Sequence, residues 1–144
     1  MASKVYGNAP KAAFNKEIDW DSDTIKVMLL SSAYTPNQDS HDYLDDVVGS
    51  EVTGTGYTAG GATLGSKTAT YDAGTNTVKF DAADVTWASS TITARYAVVY
   101  DDSGASNATK PLIAYFDFST DRASSNGEFV VRWGADGVFS VTAA

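Results

Sequence analysis

The clearest alternation of apolar and polar positions in this chain runs through TITARYAVVYD, residues 91–101. β-Branched and aromatic side chains dominate it, and Ile92, Ala94, Tyr96, Val98 and Tyr100 share one face at a period of two. The other face carries Thr93, Arg95, Ala97 and Val99, polar at first and apolar by the end. That pattern predicts a central strand, entering from a wet rim and then covered on both sides. LIAYFDF, residues 112–118, follows a loop of Asp, Ser, Gly and Asn, so an antiparallel hairpin is the simplest pairing.

The same reading places a strand on TIKVMLLSS, residues 24–32, with its second half buried on both faces. Further short strands follow turn signals: KTATYD ending at Asp72, TVKFD, VTWA at 85–88, EFVVRW at 128–133 and GVFSVT at 137–142. About eight strands at this spacing predict a mainly β chain, an antiparallel β-sandwich or jelly-roll-like fold in a single domain. Residues 8–17 read as a short helix, with Asn8 able to cap, Pro10 in the first turn, and docking expected through Phe14 and Ile18. Residues 1–18 thus form an N-terminal arm and helix. A further turn or two of helix is expected within 40–48, capped by Asp39 or Ser40. Residues 49–66 hold six of the twelve glycines, which predicts an extended loop or arm whose backbone lies against something.

Composition narrows the function classes. A chain of 144 residues suffices for one core without staples, and there is no cysteine for a disulfide, a thiolate metal site or a nucleophile. The N-terminus lacks the apolar run of a signal peptide, and nowhere do enough apolar residues follow one another to span a bilayer, so no membrane partner is expected. The sequon at Asn107 is then read as coincidence. A net charge of −8 opposes binding to a phosphate backbone and argues against nucleic acid.

Motifs of catalysis and cofactor binding fail on spacing. GGATLGSKT, residues 60–68, resembles a P-loop, but Ser66 separates Gly65 from Lys67, and a strand pattern follows where the phosphate-binding helix should start. GTGYTAG is one residue too long between its last two glycines for a dinucleotide fingerprint. Asp19, Asp21 and Asp23 are spaced like the start of a calcium loop, but Thr24 and Leu30 stand where a glycine and a bidentate acid belong. A solvated turn is the preferred reading; clustered acids, recurring at Asp45/Asp46 and Asp101/Asp102, leave a different cation site open. His41, the only histidine, lies in a polar turn without a nucleophile elbow, which favours loop bracing over a catalytic triad. Trp20, Trp87 and Trp133 are read as packing residues before a sugar groove. The expectation is a protein that is not an enzyme and carries no cofactor or metal.

The blocks DWDSDTIKVMLLSSAYTPNQD, HDYLDDV, EVTGTGYTAGG, VTW, ARYAVVY, LIAYFDF and GVFSVTAA span nearly the whole chain. In this order they resemble a family of small structural proteins of tailed bacteriophages, whose members serve as head decoration (cement) or minor tail proteins. The resemblance implies a virion component made in the host cytoplasm and displayed on the outer capsid surface, with the major capsid protein and further copies of itself, as a homotrimer, for partners. The clamps expected are the arm 49–66 and segment 1–18. Tyr6, Phe14 and Tyr57 are the candidate anchors, with Leu64 and the glycines Gly54, Gly56, Gly60 and Gly61 completing the contact. A tail or fibre component is the alternative, and a carbohydrate-binding module the more distant one.

Overall fold

The computed structural model describes residues 1–143. It is mainly β, with antiparallel sheets arranged as a sandwich and a short helix near the N-terminus. The strands are β1 (Ala2–Val5), β2 (Ile25–Leu30), β3 (Ala62–Thr63), β4 (Thr68–Asp72), β5 (Thr77–Asp81), β6 (Val85–Ser90), β7 (Thr93–Asp101), β8 (Leu112–Ala123), β9 (Gly127–Val131) and β10 (Phe139–Thr142). Helix α1 covers Ala9–Phe14.

The largest sheet runs β1-β8-β7-β2-β3, with β7 at its centre and hairpin-paired to β8 as the alternation predicts. Both faces of this sheet are covered. Ile25, Val27 and Leu29 of β2, with Ala97 and Val99 of β7, pack against Trp87, Phe129 and Val131 of the two-stranded sheet β6-β9 and against Trp20. Phe80 and Phe139, cross-strand partners in the sheet β10-β5-β4, close the same core. On the opposite face Met28, Leu30, Val98 and Tyr100 lie under Tyr6, Tyr34, Leu44 and Val47. Two small cores therefore share the central sheet. This double coverage is why β2 and the second half of β7 read as continuous apolar runs.

The expected period of two along β7 breaks at Arg95. Ile92 and Ala94 belong to the first core, whereas Tyr96, Val98 and Tyr100 belong to the second. Ala94 opposes Arg122 and Tyr96 opposes Asp117, so Phe118 to Asp121 of β8 lie opposite Arg95 alone. Such an irregularity shifts every later side chain to the other face. Arg95 is fixed there by a 3.1 Å ion pair with Asp117.

The helix also differs from expectation. It is shorter, Asn8 sits at its N-cap without a side-chain cap bond, and it docks through Ala9 and Ala12 rather than Phe14. Residues three apart share a helical face, and Phe14, two residues beyond Ala12, points away from it. Residues 40–48 form 3-10 turns, Leu44–Asp46 and the start of Val48–Ser50, with the Asp46 carboxylate accepting from the Asp42 and Tyr43 N–H groups.

Candidate interaction surface

The glycine-rich segment 49–66 is folded onto its own sheet. Gly61 has φ +82°, and a Cβ there would stand 1.9 Å from the Val27 carbonyl oxygen of β2. Gly54 runs equally close to Thr91, and Gly56, at φ +79°, crosses Ser90. The N–H of Gly60 donates to Glu51 at 2.7 Å, and its carbonyl accepts from the Tyr100 hydroxyl at 2.7 Å. Leu64 is buried in the first core. Tyr57 is half-buried beside Trp87, and its hydroxyl is shared between Glu51 and the Leu29 N–H. The backbone does lie against something, but that something is this chain. Of the residues expected to meet a partner, Leu64 is buried within this chain, Tyr57, Gly60 and Gly61 are half-buried, and Gly54 and Gly56 remain exposed along the loop.

Tyr6 is turned wholly into this chain's own second core. It has no exposed surface, packs on Tyr115 at 5.2 Å between ring centroids, and shares a 2.7 Å hydrogen bond with the Tyr34 hydroxyl. Tyr34 in turn contacts Nδ1 of His41 at 3.0 Å, so His41 braces the loop as its sequence context suggests. Burial first, then the neighbouring tyrosine, pushes the Tyr6 phenol far above its ordinary range; burial pushes Tyr34 up to about 12. Both stay neutral and structural at ordinary pH.

Phe14 is the one proposed anchor left in solvent, 91% exposed on the last residue of α1. It stands at the rim of an apolar groove of about 360 Å³ between the helix and the strands β5 and β10. The floor is an aromatic trio: Phe80 and Phe139 stack at 4.5 Å, and the Trp20 ring meets both edge-on at 5.7 and 5.5 Å. Ile18 and Val141 complete the walls, Val141 itself being 44% exposed. Trp20 is held by its indole N–H, which donates to the Thr68 carbonyl at 3.0 Å. The helix turns Ala9 and Ala12 to the sheet and leaves a shallow trough beside them. The lining of this groove suits apolar side chains.

The acids flagged by spacing serve the backbone. Asp19 Oδ1 accepts from the N–H groups of Asp21 and Ser22, an Asx turn of the solvated kind expected, and Asp102 is clamped by Lys26 at 3.0 Å and Lys110 at 2.7 Å. Among the described residues no group of three or more His, Asp or Glu side chains is placed to hold a metal ion. Lys67 of the P-loop-like stretch donates instead to the backbone oxygen of Asp23. Trp87 is buried in the first core and Trp133 packs against it. Sequence reasoning missed the groove itself, because its walls come from four separated segments; the signal available was Phe14 adjoining a stretch rich in alanine.

No protein-family model, curated protein or solved structure matches this chain.

Proposed function

We propose that this chain is a structural protein of a phage virion, a capsid decoration (cement) protein that binds the outside of the shell and bridges major capsid subunits. The observation that carries the reading is Phe14, a large apolar side chain almost wholly in solvent at the rim of a preformed apolar groove. An exposed aromatic beside a groove on an otherwise acidic surface marks an interaction site. The sequence resemblance supplies the biological setting, and the rigid, doubly covered sheet supplies a body able to bear load.

In this reading the contact is made by segment 1–18 rather than by both expected clamps. Phe14 enters an apolar pocket of the capsid protein, and the groove accepts an apolar side chain in return. Copies sit as trimers at local three-fold positions, where the shell itself offers that symmetry. Each copy then adds buried area across the seams between capsid subunits.

The test is co-sedimentation of the purified protein with undecorated shells. Phe14→Ser should abolish binding while leaving the unfolding free energy within about 0.5 kcal/mol of the parent, since the side chain packs on almost nothing. Undiminished binding by this variant refutes the assignment.

A further inference from the structure

The buried end of β7 carries a carboxylate that the fold leaves half satisfied. Asp101 has no exposed surface. Its Oδ1 accepts from the Ser103 backbone N–H at 2.9 Å and from the Ser103 hydroxyl at 2.5 Å, whereas Oδ2 is buried with no hydrogen-bond partner among the described residues. An unpaired charged oxygen is among the costliest groups to bury.

A second carboxyl group reaches the same place from another element. Asp23, in the turn before β2, converges on the same hydroxyl: its Oδ2 is 3.3 Å from the Ser103 hydroxyl oxygen and also accepts the Asp19 N–H at 3.0 Å. Counting protons makes the arrangement informative. Ser103 has a single hydroxyl proton facing two carboxyl groups, and the short distance commits it to Asp101. Neighbouring cations are engaged elsewhere: Lys26 and Lys110 pair with Asp102, and Lys67 donates to the backbone oxygen of Asp23. Two acids that meet at one hydroxyl, with no cation between them among the described residues, are best accommodated when one of them carries a proton.

We propose that Asp101 and Asp23 hold one proton between them, resident on Asp101, and that this acid pair is a pH-sensitive latch tying the turn before β2 to the loop after β7. The protonated Asp101 leaves no buried charge, and the Ser103 hydroxyl links it to the Asp23 carboxyl group. When the proton departs, two like charges face each other across the contact and the latch loosens. The same turn carries Trp20, so the change reaches the floor of the groove.

Burial, and then the Asp23 carboxylate, push Asp101 up to about 6 against the pull of the Ser103 hydrogen bonds. The folded value lies above the ordinary ~3.9, so the folded state binds the extra proton. Stability from the latch is present at low pH and is lost as the pH rises from about 4 through about 6. Asp102 titrates outside this window: burial opposes ionisation, but Lys110 and Lys26 outweigh it and hold Asp102 below the ordinary carboxylate range.

The test is a carbon-detected NMR titration of the aspartate carboxyl groups in the intact protein, with the Trp20 indole N–H as a second reporter. Asp101 should titrate near 6, and the Trp20 resonance should move with the same midpoint. An Asp101 midpoint at or below the ordinary carboxylate range, or a Trp20 resonance that ignores it, overturns the latch. In Asp23→Asn the like charge is gone, so the Asp101 midpoint should fall; an unchanged midpoint overturns the pairing. In urea unfolding between about pH 4 and about pH 7, the unfolding equilibrium constant of the parent relative to Asp101→Asn should rise roughly 10- to 100-fold. A constant ratio overturns the proposal equally.

Discussion

The Tyr57 hydroxyl donates to Glu51 at 2.8 Å from a position only half-buried in the chain's glycine-rich segment. The same oxygen accepts the Leu29 N–H at 3.1 Å. Strand β3 pairs with β2 only at Lys26 and Val27, so at Leu29 the tyrosine side chain takes over what a longer edge strand would do. Tyr57→Phe removes the acceptor of a buried strand N–H and the donor to a carboxylate together. The expected loss is about 2–3 kcal/mol in urea unfolding. A loss below about 0.5 kcal/mol would mean that water replaces the hydroxyl without cost.

Two glycines of the same segment should behave oppositely. Gly61→Ala places a Cβ against the Val27 carbonyl at a left-handed φ, and the approach is backbone to backbone, so nothing flexible can yield. It should cost about 3 kcal/mol or more, or prevent folding. Gly65 has open space around it and no left-handed backbone, so Gly65→Ala should lie within about 0.5 kcal/mol of the parent or be slightly stabilising. Comparing the two by urea denaturation separates glycines that the close approach requires from one that it does not.

The buried tyrosines set the alkaline limit. Burial is the first cause of the raised values of Tyr6, Tyr34, Tyr57 and Tyr100. Their folded values lie above the unfolded value near 10, so the stability they contribute is intact below about pH 10 and is lost as the pH rises further. Absorbance of tyrosinate should therefore include a cooperative stage that coincides with loss of near-ultraviolet circular dichroism. A single smooth titration with intact circular dichroism would contradict the burial described here.

Much of the fold was legible in the sequence. The central position of β7, its hairpin with β8, and eight of the strands follow from alternation and turn chemistry. β1 was not legible, because ASKV has no apolar period; the edge of β8 makes it a strand by supplying the hydrogen bonds. The break at Arg95 was hidden for a related reason, since alternation looks continuous in the sequence while the paired strand inserts extra residues. Glycine density in 49–66 signalled a close backbone approach but not its target, which is the non-local surface of β2 and the β6–β7 turn. Phe14 was named for its aromatic ring, although its exposure depends on which face of a six-residue helix meets the sheet. The meeting of Asp23 and Asp101 belongs to the same class: each acid stood out in its own cluster, and only the β2–β7 register, with Ile25 opposite Asp101, joins them.

Decoration of a shell is a statement about stoichiometry, and the number of copies per virion tests it most directly. Quantitative mass spectrometry of purified particles gives that number against the major capsid protein. The decoration reading predicts roughly one copy per capsid subunit, or one per small integer of them. A far smaller number, as for a part of the tail, would contradict it and remove the trimer together with the shell contact assigned to Phe14.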